Sequence, residues 1–286
     1  MKKKVLVTGA NGFLGTKVVK MLKEHFEVFP TDVTGDFKAD ITNFSDVLDL
    51  FDKIKPKIVI HTAAMTNVDG CETDKVKAYQ SNVVGTKNIV DCCMKFNSWI
   101  IFISTDFVFN GVKGNYKEDA EKSPVNYYGT TKAIGEDIVI SSRVKHTILR
   151  VAMLYGFNNE NDKGTFFKWC YNGLKGGKEL NIVNDQFGCP TLIDDIALAL
   201  IGLIKKEVYG IYHLTGLEKT SVYEFGLKIK KVFNLPGTIK AVDISFLKQV
   251  AKRPMKSDLN TDKIKAIGIR MRNVEEGLGI LKEKLL

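Results

Sequence analysis

Lys4-Val5-Leu6-Val7-Thr8 runs directly into Gly9-Ala10-Asn11-Gly12-Phe13-Leu14-Gly15, and the reading of this stretch decides the fold. A continuous apolar run that ends in a glycine turn has the pattern of a strand buried on both faces of a parallel sheet. From Phe13 to Glu24, Leu14, Val18, Val19 and Leu22 recur at helical spacing, so a helix opens inside the glycine-rich turn. Three glycines in seven residues also arise in ordinary turns; the strand before and the helix after favour a dinucleotide cradle. Gly9 serves the tight turn, Gly12 the close approach of backbone to pyrophosphate, and Gly15 the packing of helix on strand. The helix N-terminus offers free N–H groups and a partial positive charge to phosphates. Asn11, Phe13 and Leu14 complete the candidate cofactor loop.

The same alternation continues outward. Val28 and Phe29 mark a second strand, a helix runs from Ser45 to about Lys53, and Ile58-Val59-Ile60 makes a third strand. A long helix is expected from about Asp74 to Phe96, followed by the strand that begins at Trp99. A helix over about Asn126 to Ile140 leads to the strand Thr147–Arg150. Strands alternating with helices specify a Rossmann-type, doubly wound parallel sheet. Beyond Val151 the rhythm loosens. Gly156 to Gly164 reads as a loop, Thr165 to Leu174 and Thr191 to Lys205 as helices, and Ile211–Leu214 as a late strand. The C-terminal third shows shorter helices and no repeat of the strand–helix pattern. The expectation is a dinucleotide-binding domain over 1–151 plus about 191–215, with a smaller α/β substrate lobe from about 152–190 plus 216–286.

Asp32 ends the second strand, where a carboxylate can accept hydrogen bonds from both adenosine ribose hydroxyls and repel a 2′-phosphate. Lys38 is the nearest basic residue, so NADH is favoured over NADPH. Asp40 and Ile41 are placed to flank the adenine, and Ala63-Ala64 after the third strand let a cofactor lie close to the backbone.

Bulk composition narrows the class. With 286 residues, 44% hydrophobic and 26% charged, the chain can bury a sizeable core. No apolar run approaches the ~18 residues that cross a bilayer, and Met-Lys-Lys-Lys leads into no signal-peptide core, so a cytoplasmic enzyme is expected. Five cysteines without CxxC spacing and four unpaired histidines fit reduced thiols and no metal site. The formal net charge is +9, but the lysines are scattered along the sequence. They read as a solvated surface compatible with a phosphorylated small molecule, and neither nucleic acid nor membrane is expected as a partner.

The reactive constellation is Tyr128-Gly129-Thr130-Thr131-Lys132. On a helix, Tyr128 and Lys132 share one face, within reach of one ribose and one reacting carbonyl. A tyrosine with its ordinary pKa near ~10 needs help to move protons at neutral pH, and a neighbouring ammonium at Lys132 is expected to lower it. Ser104-Thr105-Asp106 ends the strand that starts at Trp99, and parallel sheets bind ligands beyond the carboxyl ends of their strands. Thr105 can therefore hydrogen-bond the carbonyl oxygen that Tyr128 protonates.

Together Gly9/Gly12/Gly15, Ser104-Thr105-Asp106 and Tyr128/Lys132 resemble the extended short-chain dehydrogenase/reductase family. Within it, Ser104 to Gly111, Asn126 to Lys132, Asn184 to Thr191, and Arg253-Pro254 with Ser257 to Asn260 look like the dTDP-4-dehydrorhamnose reductases. The resemblance implies hydride delivery to C4 of a nucleotide-linked 4-keto-6-deoxy sugar. Tyr128 would give the proton, Thr105 would hold the oxygen and Lys132 would bind the nicotinamide ribose. It also implies a supporting role for Asn82, and a sugar-nucleotide pocket built from Met65, Thr66, Val68, Phe107, Met153, Gln186 and Arg253. Three of these depart from the family pattern, with Met65 for histidine, Met153 for tryptophan and Phe107 for tyrosine. Some members bind magnesium through acidic C-terminal residues at a dimer contact. The ending Leu281-Lys282-Glu283-Lys284-Leu285-Leu286 predicts no such metal, and leaves a homodimer open. Two alternatives stand beside the reductase: a sugar-nucleotide epimerase of the same family, and a non-catalytic relative such as the regulatory subunit of methionine adenosyltransferase.

Overall fold

The computed structural model describes residues 2–158 and 164–285, so the loop expected over 156–164 lies mostly outside it. The chain opens with β1 (Lys4–Thr8), α1 (Phe13–Leu22), β2 (Glu27–Asp32), β3 (Phe37–Lys38), α2 (Phe44–Ile54) and β4 (Ile58–His61). Then come α3 (Val68–Thr73), α4 (Lys75–Tyr79), a π-helical turn at Gln80–Val84, and α5 (Gly85–Phe96). They are followed by β5 (Trp99–Thr105), α6 (Tyr127–Ser141) and β6 (His146–Val151). The remainder comprises β7 (Leu154–Tyr155), α7 (Phe166–Lys175), β8 (Glu179–Val183), β9 (Phe187–Gly188), β10 (Thr191–Leu192) and α8 (Ile193–Lys206). Last are β11 (Gly210–His213), β12 (Thr220–Ser221), α9 (Val222–Phe233), β13 (Thr238–Val242), α10 (Asp262–Ala266) and α11 (Val274–Leu285).

Seven strands form one parallel sheet in the order β11-β6-β5-β4-β1-β2-β3. The winding direction reverses between β1 and β4, which opens a crevice beyond their carboxyl ends. Alternate residues of the central strands feed two cores. Val7, Ile60, Ile101 and Leu149 meet Val18 of α1 and Leu200 of α8 on one face. Leu6, Val59, Phe102 and Ile148 meet Phe51 of α2, Ile89 of α5 and Val139 of α6 on the other. This double coverage is why the strands read as unbroken apolar runs.

A third core, with Tyr155, Phe167, Leu180, Ile182, Phe225 and Leu278 at its centre, joins α7, α9, α11 and β8. β8 and β13 pair in parallel although β9, β10, α8, β11, β12 and α9 lie between them in the sequence, a pairing the sequence reading did not anticipate. β13 is largely exposed, and even its apolar residues Ile239 and Val242 are only half-buried. The long helix expected from Asp74 is also interrupted by the π turn, and Thr191-Leu192 pairs with β7 before α8 begins.

The layers are locked by a buried ion pair. Glu136 of α6 and Arg150 of β6 are 0% and 2% exposed, and the guanidinium donates to both carboxylate oxygens at 2.9 and 2.8 Å. Arg150 also donates to the Glu118 carbonyl at 3.1 Å and covers the Phe109 ring, while Ser104 donates to Glu136 at 2.6 Å. Removing one partner of such a pair strands the other charge without water. Arg150→Met is expected to lose about 3–5 kcal/mol of stability, measured as a lower urea midpoint with an unchanged slope.

Candidate active site

The glycine turn is shaped by contacts that admit no side chain. Gly9 adopts φ +67°, and a Cβ there would lie 2.7 Å from the backbone of Ala63. A Cβ on Gly15 would collide with the Gly9 carbonyl, so Gly15 lets α1 pack flush against the turn. Gly12 faces open space apart from the Gly9 carbonyl at 3.1 Å, on the side a ligand would approach. Gly12 is also the N-cap of α1 and supplies no side-chain cap, so the N–H groups of the first turn remain available to an anion. These are the features of a pyrophosphate cradle.

Asp32, at the end of β2, accepts the Asn11 N–H at 2.9 Å and the Val33 N–H at 2.8 Å. Its carboxylate thereby ties the glycine loop to the second strand. A groove of about 620 Å³ runs past these residues. Gly9, Asn11, Gly12, Phe13, Leu14, Gly15 and Asp32 line one end, Ala63, Ala64, Thr66 and Val68 its flank, and Thr105, Phe107, Tyr128, Lys132 and Met153 the other end.

The reactive end is assembled from β5 and α6. Asn126 caps α6 by accepting the Gly129 N–H at 2.8 Å and is anchored through its amide to the Lys252 carbonyl at 2.8 Å. A Cβ on Gly129 would strike the Phe107 carbonyl, so only glycine lets α6 close on the turn after β5. Phe107 meets the Tyr128 ring edge-on at 5.9 Å. Thr105 donates to Asp106 Oδ1 at 3.0 Å and accepts the Phe107 N–H at 3.2 Å.

Burial sets the protonation of this group. Enclosure pushes the Tyr128 phenol well above its usual value; a hydrogen bond with Thr105 opposes the shift, and the Asp106 charge adds to it. Lys132 is pushed down to about 7 by burial, with the Glu136 carboxylate opposing, and its ammonium lies 4.0 Å from the Phe102 ring centre. The expectation that Lys132 lowers the tyrosine is not met in this geometry, where desolvation dominates both groups. A phenol that holds its proton is a donor, which is the direction a carbonyl reduction requires.

Asp106 is a site residue that sequence reasoning passed over. It is 2% exposed, lines the groove, and its Oδ2 has no hydrogen-bond partner among the described residues. Burial pushes it up to about 6, against hydrogen bonds from Ser257 and Thr105. Its presence in Ser104-Thr105-Asp106 was visible, but its burial was not. Thr62, Thr165 and Phe166, which also line the groove, carried no sequence signal.

A second cavity of about 450 Å³ adjoins the groove and shares Phe107, Met153, Leu154 and Phe166 with it. Gln186 and Trp169 lie on its wall. Met153 sits at φ +44°, a left-handed conformation that costs a non-glycine residue, and its sulfur packs where Gly188 leaves room.

Five expected site residues lie outside both linings. Asp40 accepts from the Thr42 backbone and hydroxyl, and the Ile41 carbonyl accepts from Asn88. Asn82, within the π turn, accepts the Met65 N–H at 2.7 Å and donates to the Met65 carbonyl and to Thr131. It clasps the segment after β4 to α6. Arg253 pairs with Asp69 at 2.9 Å and donates to the Ala251 carbonyl.

An uncapped glycine cradle leading to Thr105, Tyr128 and Lys132 defines a nicotinamide-dependent oxidoreductase of the extended short-chain type. Comparison with known proteins narrows this further: the family described as RmlD substrate binding domain matches residues 2–285, and the chain belongs to it. A dTDP-4-dehydrorhamnose reductase of Aggregatibacter actinomycetemcomitans is 35% identical over 291 residues, covering 96% of this chain and 97% of the relative. Among solved structures, the dTDP-4-dehydrorhamnose reductase of Bacillus anthracis in complex with NADP superposes with a TM-score of 0.93 at 32% identity, covering 99% of this chain and all of that one. The dTDP-4-dehydrorhamnose reductase ortholog of Clostridium acetobutylicum gives 0.92 at 36% identity, with 99% of each chain covered.

Asp106 supplies a test of this electrostatic account. A carboxyl whose folded pKa is raised favours folding at low pH and costs stability once both states are ionised. Asp106→Asn is therefore expected to gain on the order of 1–3 kcal/mol at pH 8. The gain should shrink as pH falls through about 6. Thermal unfolding across that range measures it.

Proposed function

We propose that the chain reduces the C4 keto group of a nucleotide-linked 4-keto-6-deoxy sugar, with dTDP-4-dehydrorhamnose as substrate. The observation that carries this reading is the single groove that joins the cradle at Gly9, Gly12 and Gly15 to Thr105, Tyr128 and Lys132. When bound there, a nicotinamide dinucleotide supplies the hydride. The first turn of α1 holds the pyrophosphate, and Asp32 the adenosine ribose, with Ala63 and Ala64 beneath. Lys132 binds the nicotinamide ribose and Asn82 positions it through Met65 and Thr131. Asp40 and Ile41 close the adenine end.

At the reacting carbon, Tyr128 gives its proton to the oxygen that becomes the C4 hydroxyl, and the Thr105 hydroxyl holds that same oxygen. Phe107 and Met153 wall the sugar, Thr66 and Val68 flank it, and Gln186 lies further along the second cavity. Arg253 suits the diphosphate, exchanging part of its pairing with Asp69 for phosphate oxygens. In this reading residues 1–151 with 191–215 serve the cofactor and the remainder serves the substrate.

Both NADH and NADPH are accepted, with NADH preferred. Asp32 repels a 2′-phosphate, and Lys38, its register partner on β3, offsets that only in part.

The decisive experiment follows nicotinamide absorbance with dTDP-4-keto-6-deoxy-L-mannose. Turnover is expected, and Tyr128→Phe should lose about 10²–10⁴-fold in kcat/KM. Folded enzyme that binds NADH yet turns over neither cofactor would overturn the dehydrorhamnose reading in favour of an epimerase or a regulatory relative. In the same assay Asp32→Ser should raise kcat/KM for NADPH relative to NADH.

A further inference from the structure

The scattered lysines of the sequence are gathered by the topology. In a parallel sheet every strand starts at one edge, and each return helix delivers its C-terminus there. β1 is entered through Lys2, Lys3 and Lys4. The turns that lead into β4 and β6 carry Lys55 and Lys57, and Arg143 and Lys145. The last turns of α1, α2, α5 and α8 bring Lys20, Lys53, Lys95 and the pair Lys205-Lys206, and Lys23 follows α1. All are exposed except half-buried Lys4.

Against these thirteen cations the same edge holds four acids, Glu24, Glu27, Asp52 and Glu207. The excess of nine equals the formal net charge of the whole chain, so the rest of the sequence is balanced. Direct contacts confirm that these positions meet. Lys2 donates to the carbonyls of Lys23 and Glu24, Lys3 pairs with Glu207 at 2.7 Å, and Lys145 covers the ring of exposed Tyr209.

Helix dipoles attract cations to helix C-termini and account for the lysines of the last turns. They do not account for Lys2 to Lys4, Lys57 or Lys145, which precede strands; Lys55 and Arg143 stand at the C-terminal ends of α2 and α6. The sheet register sets Lys4, Glu27 and Ile58's predecessor Lys57 at one level, so the charges form a row across strand starts rather than the wall of a cleft. From β2 to β11 that row spans five strand spacings, roughly 24 Å.

Against the sequence expectation of no membrane partner, we infer that this edge is an interaction surface for an anionic lipid bilayer, on which the protein docks peripherally and reversibly. A broad row of lysines suits a planar field of negative headgroups, where each adds independently. Nucleic-acid recognition would call for arginine forks or aromatic stacking platforms, and the row holds one arginine and one exposed aromatic ring. The orientation is compatible with catalysis, because the groove opens at the carboxyl ends of the strands, the opposite edge of the sheet. The inference is independent of the sugar substrate.

The test is co-sedimentation of the full chain with vesicles of phosphatidylcholine alone and with phosphatidylglycerol added. Pelleting is expected only with the anionic vesicles, with release as NaCl is raised from about 50 to about 300 mM. Combined replacement of exposed Lys23→Gln, Lys55→Gln, Lys57→Gln and Lys205→Gln should weaken partitioning at least about tenfold, with nicotinamide turnover unchanged. Absence of pelleting at low salt would overturn the inference, as would pelleting that survives the four replacements. Tighter binding to polyuridylate than to the anionic vesicles would make the edge a nucleic-acid face instead.

Discussion

The carboxylate of Glu136 is the point on which the active site depends. It is buried in α6, one turn beyond Lys132, and takes hydrogen bonds from Arg150 of β6 and from Ser104, the neighbour of Thr105 on β5. Thr105 comes from a strand, Tyr128 and Lys132 from a helix, and a donor–acceptor constellation tolerates little slip between them. A side chain that bonds strand and helix at once, without water, holds that register. Its charge also favours the ammonium of Lys132, which burial alone would discharge. One ion pair thus serves packing and electrostatics together, and it is why the largest fully buried side chain among the described residues is an arginine.

Legibility in the sequence followed the reach of each interaction. β1, β4, β5 and β6 could be read because burial on both faces leaves unbroken apolar runs such as Trp99 to Ile103. Gly9 and Gly15 could be read because the backbone itself demands them. β8 and β13 could not, because each is a short strand whose partner lies some sixty residues away, and β13 faces solvent. The π turn was also hidden. It adds no distinctive residue, yet it aims Asn82 at Met65 and Thr131, and such bulges recur at functional positions.

The candidate site shows the same division. Tyr128 and Lys132 follow from helical spacing, and Thr105 from its place at a strand end. The balance of charge did not follow. A lysine one turn away implies a lowered phenol, but burial is the largest influence on Tyr128 and raises it. Asp106 makes the point more sharply. Its identity was in plain view, but the burial of a carboxylate with one unpartnered oxygen beside a groove is a property of the fold. Met153 adds a backbone instance, since its left-handed conformation at the junction of the two cavities has no signature in the residue type.

The polarity of a parallel sheet ties the remaining features together. Every strand points one way and every return helix the other, so peptide dipoles place positive ends at the carboxyl edge and negative ends at the amino edge. At the carboxyl edge the uncapped start of α1 is left for phosphate, and Asp32 and Asp106 stand among the few fixed negative charges near it. At the amino edge the negative helix ends are answered by lysine, and strand leaders extend that charge well beyond what the dipoles require. A run of basic residues would have been seen in the sequence. A row drawn from six separate strand entries could not be, because its members are neighbours only after the sheet has formed. The formal charge of +9 therefore describes one edge of the molecule rather than its whole surface.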